Sequence, residues 1–121
     1  MATLIENPTI IPAEGTKPKV IREYVGRVNS KTDAASVARM SSPEGWVEPG
    51  QTPQFDEFTL VISGAIRVET KTGTHEGKAG QAIITRKGEW VRYSTPHQGG
   101  AEYVAVCVPA FSPDTVRRDP A

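Results

Sequence analysis

Few residues of this chain could do chemistry, and most of those that could lie close together. The 121 residues hold two histidines, His75 and His97, and one cysteine, Cys107. No phosphate-cradling glycine loop, serine nucleophile elbow or CxxC pair is present. What remains is the stretch 45–57, Gly-Trp-Val-Glu-Pro-Gly-Gln-Thr-Pro-Gln-Phe-Asp-Glu, which gathers the acids Glu48, Asp56 and Glu57 with the amide Gln51 and the aromatics Trp46 and Phe55. Carboxylates in such a cluster can move protons or hold cations. Asp56 and Glu57 are neighbours, and on a strand neighbours point to opposite faces, which argues against a carboxylate pair made of those two. Pro49-Gly50 leaves the direction of Glu48 open. Arg39 before this stretch, and Arg67 and Arg92 after it, could each bring a guanidinium to a carboxylate or phosphate ligand; a solvated strand face carries arginines as well. Cys107 lies in the apolar run Tyr-Val-Ala-Val-Cys-Val at 103–108 with no base beside it, and reads as a small buried thiol.

The elements that must position these residues are strands. From residue 20 onward the chain consists of short segments rich in Val, Ile, Thr and Tyr, punctuated by Gly, Pro, Ser and Asn. Strands are expected over 20–28, 35–40, 57–62, 65–70, 81–85, 89–94 and 102–108. Tight reversals are expected at Ser63-Gly64 and Thr72-Gly73, where a glycine separates β-prone segments. The segment 58–62, Phe-Thr-Leu-Val-Ile, is apolar at nearly every position and predicts a strand covered on both faces; 102–108 reads the same way. Only 33–40, where alanines are frequent, hints at a helical period, and it is short. Residues 1–19, with several prolines and little periodicity, read as an extended arm or an added edge strand, and residues 20–121 as one barrel domain.

Two stretches give this reading a family. Gly45, Glu57 and Gly64 stand at the spacings of the first cupin motif, G-x5-H-x-H-x3-4-E-x6-G, with Gln51 and Pro53 where its two histidines fall. Gly80 and Gly88 match the second motif, G-x5-P-x-G-x2-H-x3-N, with Arg86 for the proline, Val91 for the third histidine and Thr95 for the asparagine. Over about residues 37–113 the chain therefore resembles the cupins, and within them the ethanolamine-utilization cupins of the EutQ type, whose barrels also lack the usual histidines. The resemblance implies an all-β, double-stranded β-helix, or jelly-roll barrel, with a small-molecule site in its mouth. It also implies a homodimer that exchanges N-terminal strands.

In such a barrel Gln51, Glu57 and Tyr93 face one cavity, and Glu57 among apolar strands is expected to have a raised pKa that suits a general acid or base. These three are the candidate catalytic residues; Arg39, Trp46, Glu48, Phe55, Trp90 and Tyr103 are the candidate ligand contacts. The missing imidazoles predict no metal and no cofactor, and His75 and His97 are expected on the surface. Three functions stay open: a metal-independent isomerase or lyase using Glu57, a non-catalytic ligand-binding or regulatory barrel, and a cupin with an unusual Gln51–Glu57 metal site. Fourteen acidic residues balance fourteen basic ones, so the overall field gives no pull toward nucleic acid or an anionic membrane. Without an apolar run of membrane length or a recognisable secretion signal, a cytoplasmic location is expected.

Overall fold

A computed structural model describes residues 1–120. It contains nine strands, β1 (Thr9–Ile11), β2 (Val20–Val25), β3 (Ser36–Ser42), β4 (Trp46–Val47), β5 (Asp56–Thr70), β6 (Gly73–Lys78), β7 (Ala82–Thr85), β8 (Val91–Thr95) and β9 (Ala101–Val108). They join in one antiparallel sheet of order β1-β2-β3-β9-β5-β8-β4, with β6 and β7 also pairing with β5. There is no helix among the described residues, and the alanine-rich stretch at 33–40 leads into strand β3.

The sheet closes on itself along β5. The first half of this 15-residue strand lies between β7 and β9, the second between β6 and β8. The reversal expected at Ser63-Gly64 is instead a bend inside the strand: the register with β9 slips between Val61 and Ser63, and Gly64 has a φ of 73°. A Cβ on Gly64 would lie 2.0 Å from the carbonyl oxygen of Gly100, so only glycine allows this approach. The strand therefore passes from one half of the barrel to the other rather than turning back. At Thr72-Gly73 the expected hairpin is present, with Thr70 opposite Gly73. The other motif glycines, Gly45, Gly80 and Gly88, are likewise left-handed, at φ 83°, 85° and 81°.

Alternation along the strands fills the interior. Trp46, Val61, Ile66, Val68, Val91, Tyr93, Ala101 and Tyr103 form one buried cluster, and Phe55, Cys107 and Val116, with Phe111 against them, form a second. The outer face differs from expectation. Thr59 and Val61 of β5 are buried, but Leu60 and Ile62, which alternate with them, are 47% and 44% exposed, and Ile84 of β7 and Val108 of β9 are exposed as well. The chain itself covers only one face of this apolar strand.

Both ends of the chain complete the barrel. In the arm, β1 pairs with β2 of its own chain, and the indole N–H of Trp46 donates to the carbonyl of Glu14 at 3.0 Å. After β9 the chain runs back along 50–54: the amides of Thr52 and Gln54 donate to the carbonyls of Arg117 and Thr115 at 3.0 and 2.8 Å. The amide of Asp119 donates to the carbonyl of Gly50 at 2.8 Å.

Candidate functional site

Strands and loops from most of the chain's length converge on a cavity of about 70 Å³ between the two apolar clusters. The convergence follows from two-residue alternation. Lys19, Ile21 and Glu23 enter from β2 and the residue before it, Ser36, Ala38 and Met40 from β3, and Tyr103, Ala105 and Cys107 from β9. Phe55 comes from just before β5 and Glu57 from its start, Glu48 and Gln51 from the loop after β4, Tyr93 from β8, and Val116 and Arg118 from the C-terminal segment. Much of the wall is apolar, and its polar side chains combine the charged types Lys19, Glu23, Glu48, Glu57 and Arg118 with neutral Ser36, Gln51 and two phenols.

Glu57 is the centre of this set. Burial, then the nearby charge of Glu48, push its carboxyl up to about 7, while Lys19 and the Tyr93 hydroxyl act in the opposite direction. The residue keeps some exposed surface even though protein groups crowd its carboxyl. Burial also raises Glu48, against the pull of Lys19 and Arg118. For Lys19 burial is the largest single effect and favours the neutral amine, but Tyr103, Glu48 and Glu57 together outweigh it, so its proton is held more tightly than usual. The ammonium lies 4.1 Å from the ring centre of Trp46 and 5.2 Å from that of Tyr103, a cation–π setting that fixes its position.

The phenols serve as neutral hydrogen-bonding groups. Burial and Glu57 drive Tyr93 well above the ordinary phenol range, and its hydroxyl lies 2.9 Å from Thr85 Oγ1. Tyr103 is raised as well by burial, its hydroxyl 2.8 Å from Ser42 Oγ. Cys107 is raised well above the thiol range, first by burial and then by Glu57, so it is the inert buried thiol that its apolar neighbours suggest. Two buried polar atoms on the cavity wall, Gln51 Oε1 and Arg118 Nε, have no hydrogen-bond partner.

Of the residues singled out from sequence, Gln51, Glu57, Tyr93, Glu48, Phe55 and Tyr103 are brought together around the cavity. Three are not. Arg39 alternates with the inward residues Ala38 and Met40, so its side chain stands on the outer face, 2.8 Å from Glu102. Trp46 is fully buried in the core cluster, supporting Lys19 from behind rather than lining the cavity. Trp90 precedes β8 and turns outward, its indole N–H donating to Asp119 at 2.9 Å. Arg67 pairs with Glu76, Arg92 with Glu69, and His97 also with Glu76, while His75 is exposed. Lys19 and Arg118 were missed because both lie outside the recognised motifs. For Lys19 a signal existed, since 19, 21 and 23 share a strand face.

A transition metal fits this wall poorly. Gln51 and Val91, at the positions of motif histidines, bond to each other through their backbones. Among the described residues no three of His, Cys, Asp and Glu are arranged to hold a metal ion. The ammonium of Lys19 lies in the field of Glu48 and Glu57, so a divalent ion would meet an amide, two carboxyls and a competing cation.

No family model matches the sequence. A curated protein, endoribonuclease YbeY of Myxococcus xanthus, is 41% identical over 96 residues, which is 79% of this chain but 33% of that protein. The chain thus spans a third of the length of this relative. Among solved structures, the putative ethanolamine utilization protein EutQ of Salmonella typhimurium superposes with a TM-score of 0.65 at 20% identity, over 77% of this chain and 71% of that one. The polyketide cyclase RemF of Streptomyces resistomycificus gives 0.74 at 17% identity over 100% and 86%. A Streptomyces PAC13 variant with uridine gives 0.73 at 18% over 97% and 88%. Four left-handed glycines at the motif spacings, a sheet closed along one bent strand and these superpositions agree: in fold, this chain is a small cupin.

Proposed function

We propose that this cupin is a metal-independent acid–base catalyst for a small polar molecule, an isomerase or lyase in which Glu57 carries the proton. The observation behind this reading is a carboxyl held near pKa 7 on the wall of a small apolar cavity that also holds a fixed ammonium. A base works best when its pKa is close to the working pH. The ionised Glu57 takes a proton from the substrate; the electron pair left behind develops on an oxygen, where Lys19 and the neutral hydroxyl of Tyr93 offset the charge. The protonated Glu57 then returns the proton to a different atom, or to a leaving group.

The test has two parts. A carboxyl titration followed by carbon NMR should place the Glu57 midpoint near 7. Wild-type protein in deuterated water, with pooled small hydroxy and oxo compounds, should exchange carbon-bound protons, and Glu57→Gln should not. Exchange that persists in the variant would remove Glu57 from the reaction. The unpartnered Gln51 Oε1 and Arg118 Nε favour ligand binding whether or not turnover follows; saturable binding without exchange would identify a binding barrel.

This reading leaves RNA aside, although a longer relative bears an endoribonuclease name. The chain's formal charge of zero gives its overall field no pull on a polyanion. No helix among the described residues is long and apolar enough to cross a membrane. For the exposed face of β5, β7 and β9 we propose a second copy of the chain as the cover, giving a homodimer.

A further inference from the structure

Beside Glu57, the cavity wall carries a second set of groups whose chemistry is complementary to a particular kind of ligand. Gln51 is 4% exposed, and its side-chain oxygen, an acceptor, is buried without a donor. Arg118 Nε–H, a donor, is buried without an acceptor. The two residues are antiparallel bridge partners, which sets acceptor and donor side by side on one wall. Buried polar groups left unpaired are costly, so a ligand offering an acceptor next to a donor relieves both at once.

Charge narrows the choice. Among the described residues, neither Lys19 nor Arg118 makes an ion pair. Of the three carboxyls on the wall, Glu23 already accepts from the amide of Asn29 at 3.1 Å, Glu57 is about half protonated at neutral pH and Glu48 remains, so the acceptor that meets the unpaired Arg118 Nε–H can be an anion. The volume of about 70 Å³ suits a two- or three-carbon acid, and Phe55, Phe111 and Val116 supply an apolar side for its carbon skeleton.

We infer that the cavity binds a small 2-hydroxycarboxylate, its carboxylate against Arg118 and Lys19 and its hydroxyl donating to Gln51 Oε1. The inference rests on the proton-transfer reading for its purpose, since it places the carbon bearing the hydroxyl in the same cavity as Glu57. It also couples binding to protons. The titratable and charged groups that share the cavity with Glu57 are Lys19, Glu23, Glu48, Tyr93, Tyr103, Cys107 and Arg118. An anion added among them raises the proton affinity of Glu57, so binding takes up a proton above pH 7 and weakens as pH rises further.

Calorimetric titration of the whole chain with glycolate and lactate tests this, with acetate lacking the hydroxyl and glycolamide lacking the charge. Both hydroxy acids should bind saturably, and acetate and glycolamide at least about ten-fold more weakly, acetate because it leaves the buried Gln51 acceptor unpaired and glycolamide because it loses the charge-assisted bond to Arg118. Arg118→Gln should weaken glycolate by about ten-fold or more, Arg118→Lys should restore part of it, and Gln51→Leu should abolish the preference for glycolate over acetate. Between about pH 6.5 and about pH 8.5 wild-type affinity should fall, whereas Glu57→Gln should bind with little pH dependence. Absence of saturable binding of either hydroxy acid, equal affinity for acetate and glycolate, or an Arg118→Gln variant that binds like the wild type would overturn the inference. A Glu57 midpoint near 7 in the face of such a result leaves the proton-transfer reading standing. A low midpoint with intact glycolate binding removes that reading alone.

Discussion

Glu57 is a residue whose environment works against the fold. Its carboxyl is pushed from the ordinary 4.5 up to about 7, so between these values the folded chain holds a proton that the unfolded chain has released. Stability contributed by this group is therefore greatest below the lower value and declines as pH rises through about 7. Glu57→Gln removes that slope: it should melt higher than the wild type at about pH 8, by on the order of 1–3 kcal/mol, and differ little near about pH 4. Thermal melts across pH check this, and a variant that loses stability at every pH would contradict it. The alternation rule foretold that Glu57, Gln51 and Tyr93 would face one space. It did not foretell Lys19, because a lysine ahead of the first strand resembles any solvated arm residue until β2 is known to place 19, 21 and 23 on the inner face. Arg118 was less legible still. Prolines such as those at 109 and 113 ordinarily stop sheet pairing, whereas the chain after them pairs with 50–54 through backbone bonds that no side-chain pattern announces.

At the scale of elements, β5 decides whether the barrel closes. Glycine is required at position 64 by its left-handed φ and by the carbonyl of Gly100 pressed against it. Gly64→Ala should therefore cost at least about 2 kcal/mol, far above a surface exchange. A denaturation midpoint unchanged from wild type would mean that the bend tolerates a side chain. Sequence located this glycine but misread it, because a glycine between β-prone segments marks a hairpin and an in-strand bend equally well; the distinction lies in the pairing with β9, which is remote in the chain. The C-terminal segment is the second such element. Val116 is buried against Phe55 and Cys107, so Val116→Ala should cost about 2 kcal/mol by transfer and cavity terms. The same exchange should loosen the wall that holds Arg118, measurable as faster hydrogen exchange at the amides of Thr52 and Gln54.

For the whole molecule, the fold was legible because the motif glycines are set by backbone geometry, which outlasts exchange of the metal-binding side chains between them. Partner surfaces were not. An apolar strand covered on both faces and one covered by a second chain have the same sequence, and only the exposure of Leu60, Ile62, Ile84 and Val108 separates them. If a second copy covers this face, Leu60→Lys combined with Ile62→Lys should yield a folded monomer by analytical ultracentrifugation while the wild type sediments as a dimer. A wild-type monomer at micromolar concentration would reject that assembly.

The ammonium of Lys19 above Trp46 has an optical consequence. An indole's excited state has a larger dipole than its ground state, so a charge held 4.1 Å from the ring centre shifts the colour of its emission. The chain has one other tryptophan, Trp90, directly ahead of β8 and bonded to Asp119. Replacing Trp90 with phenylalanine would leave a single, buried tryptophan whose wavelength follows the charge state of the cavity, making the protein its own indicator without an added dye.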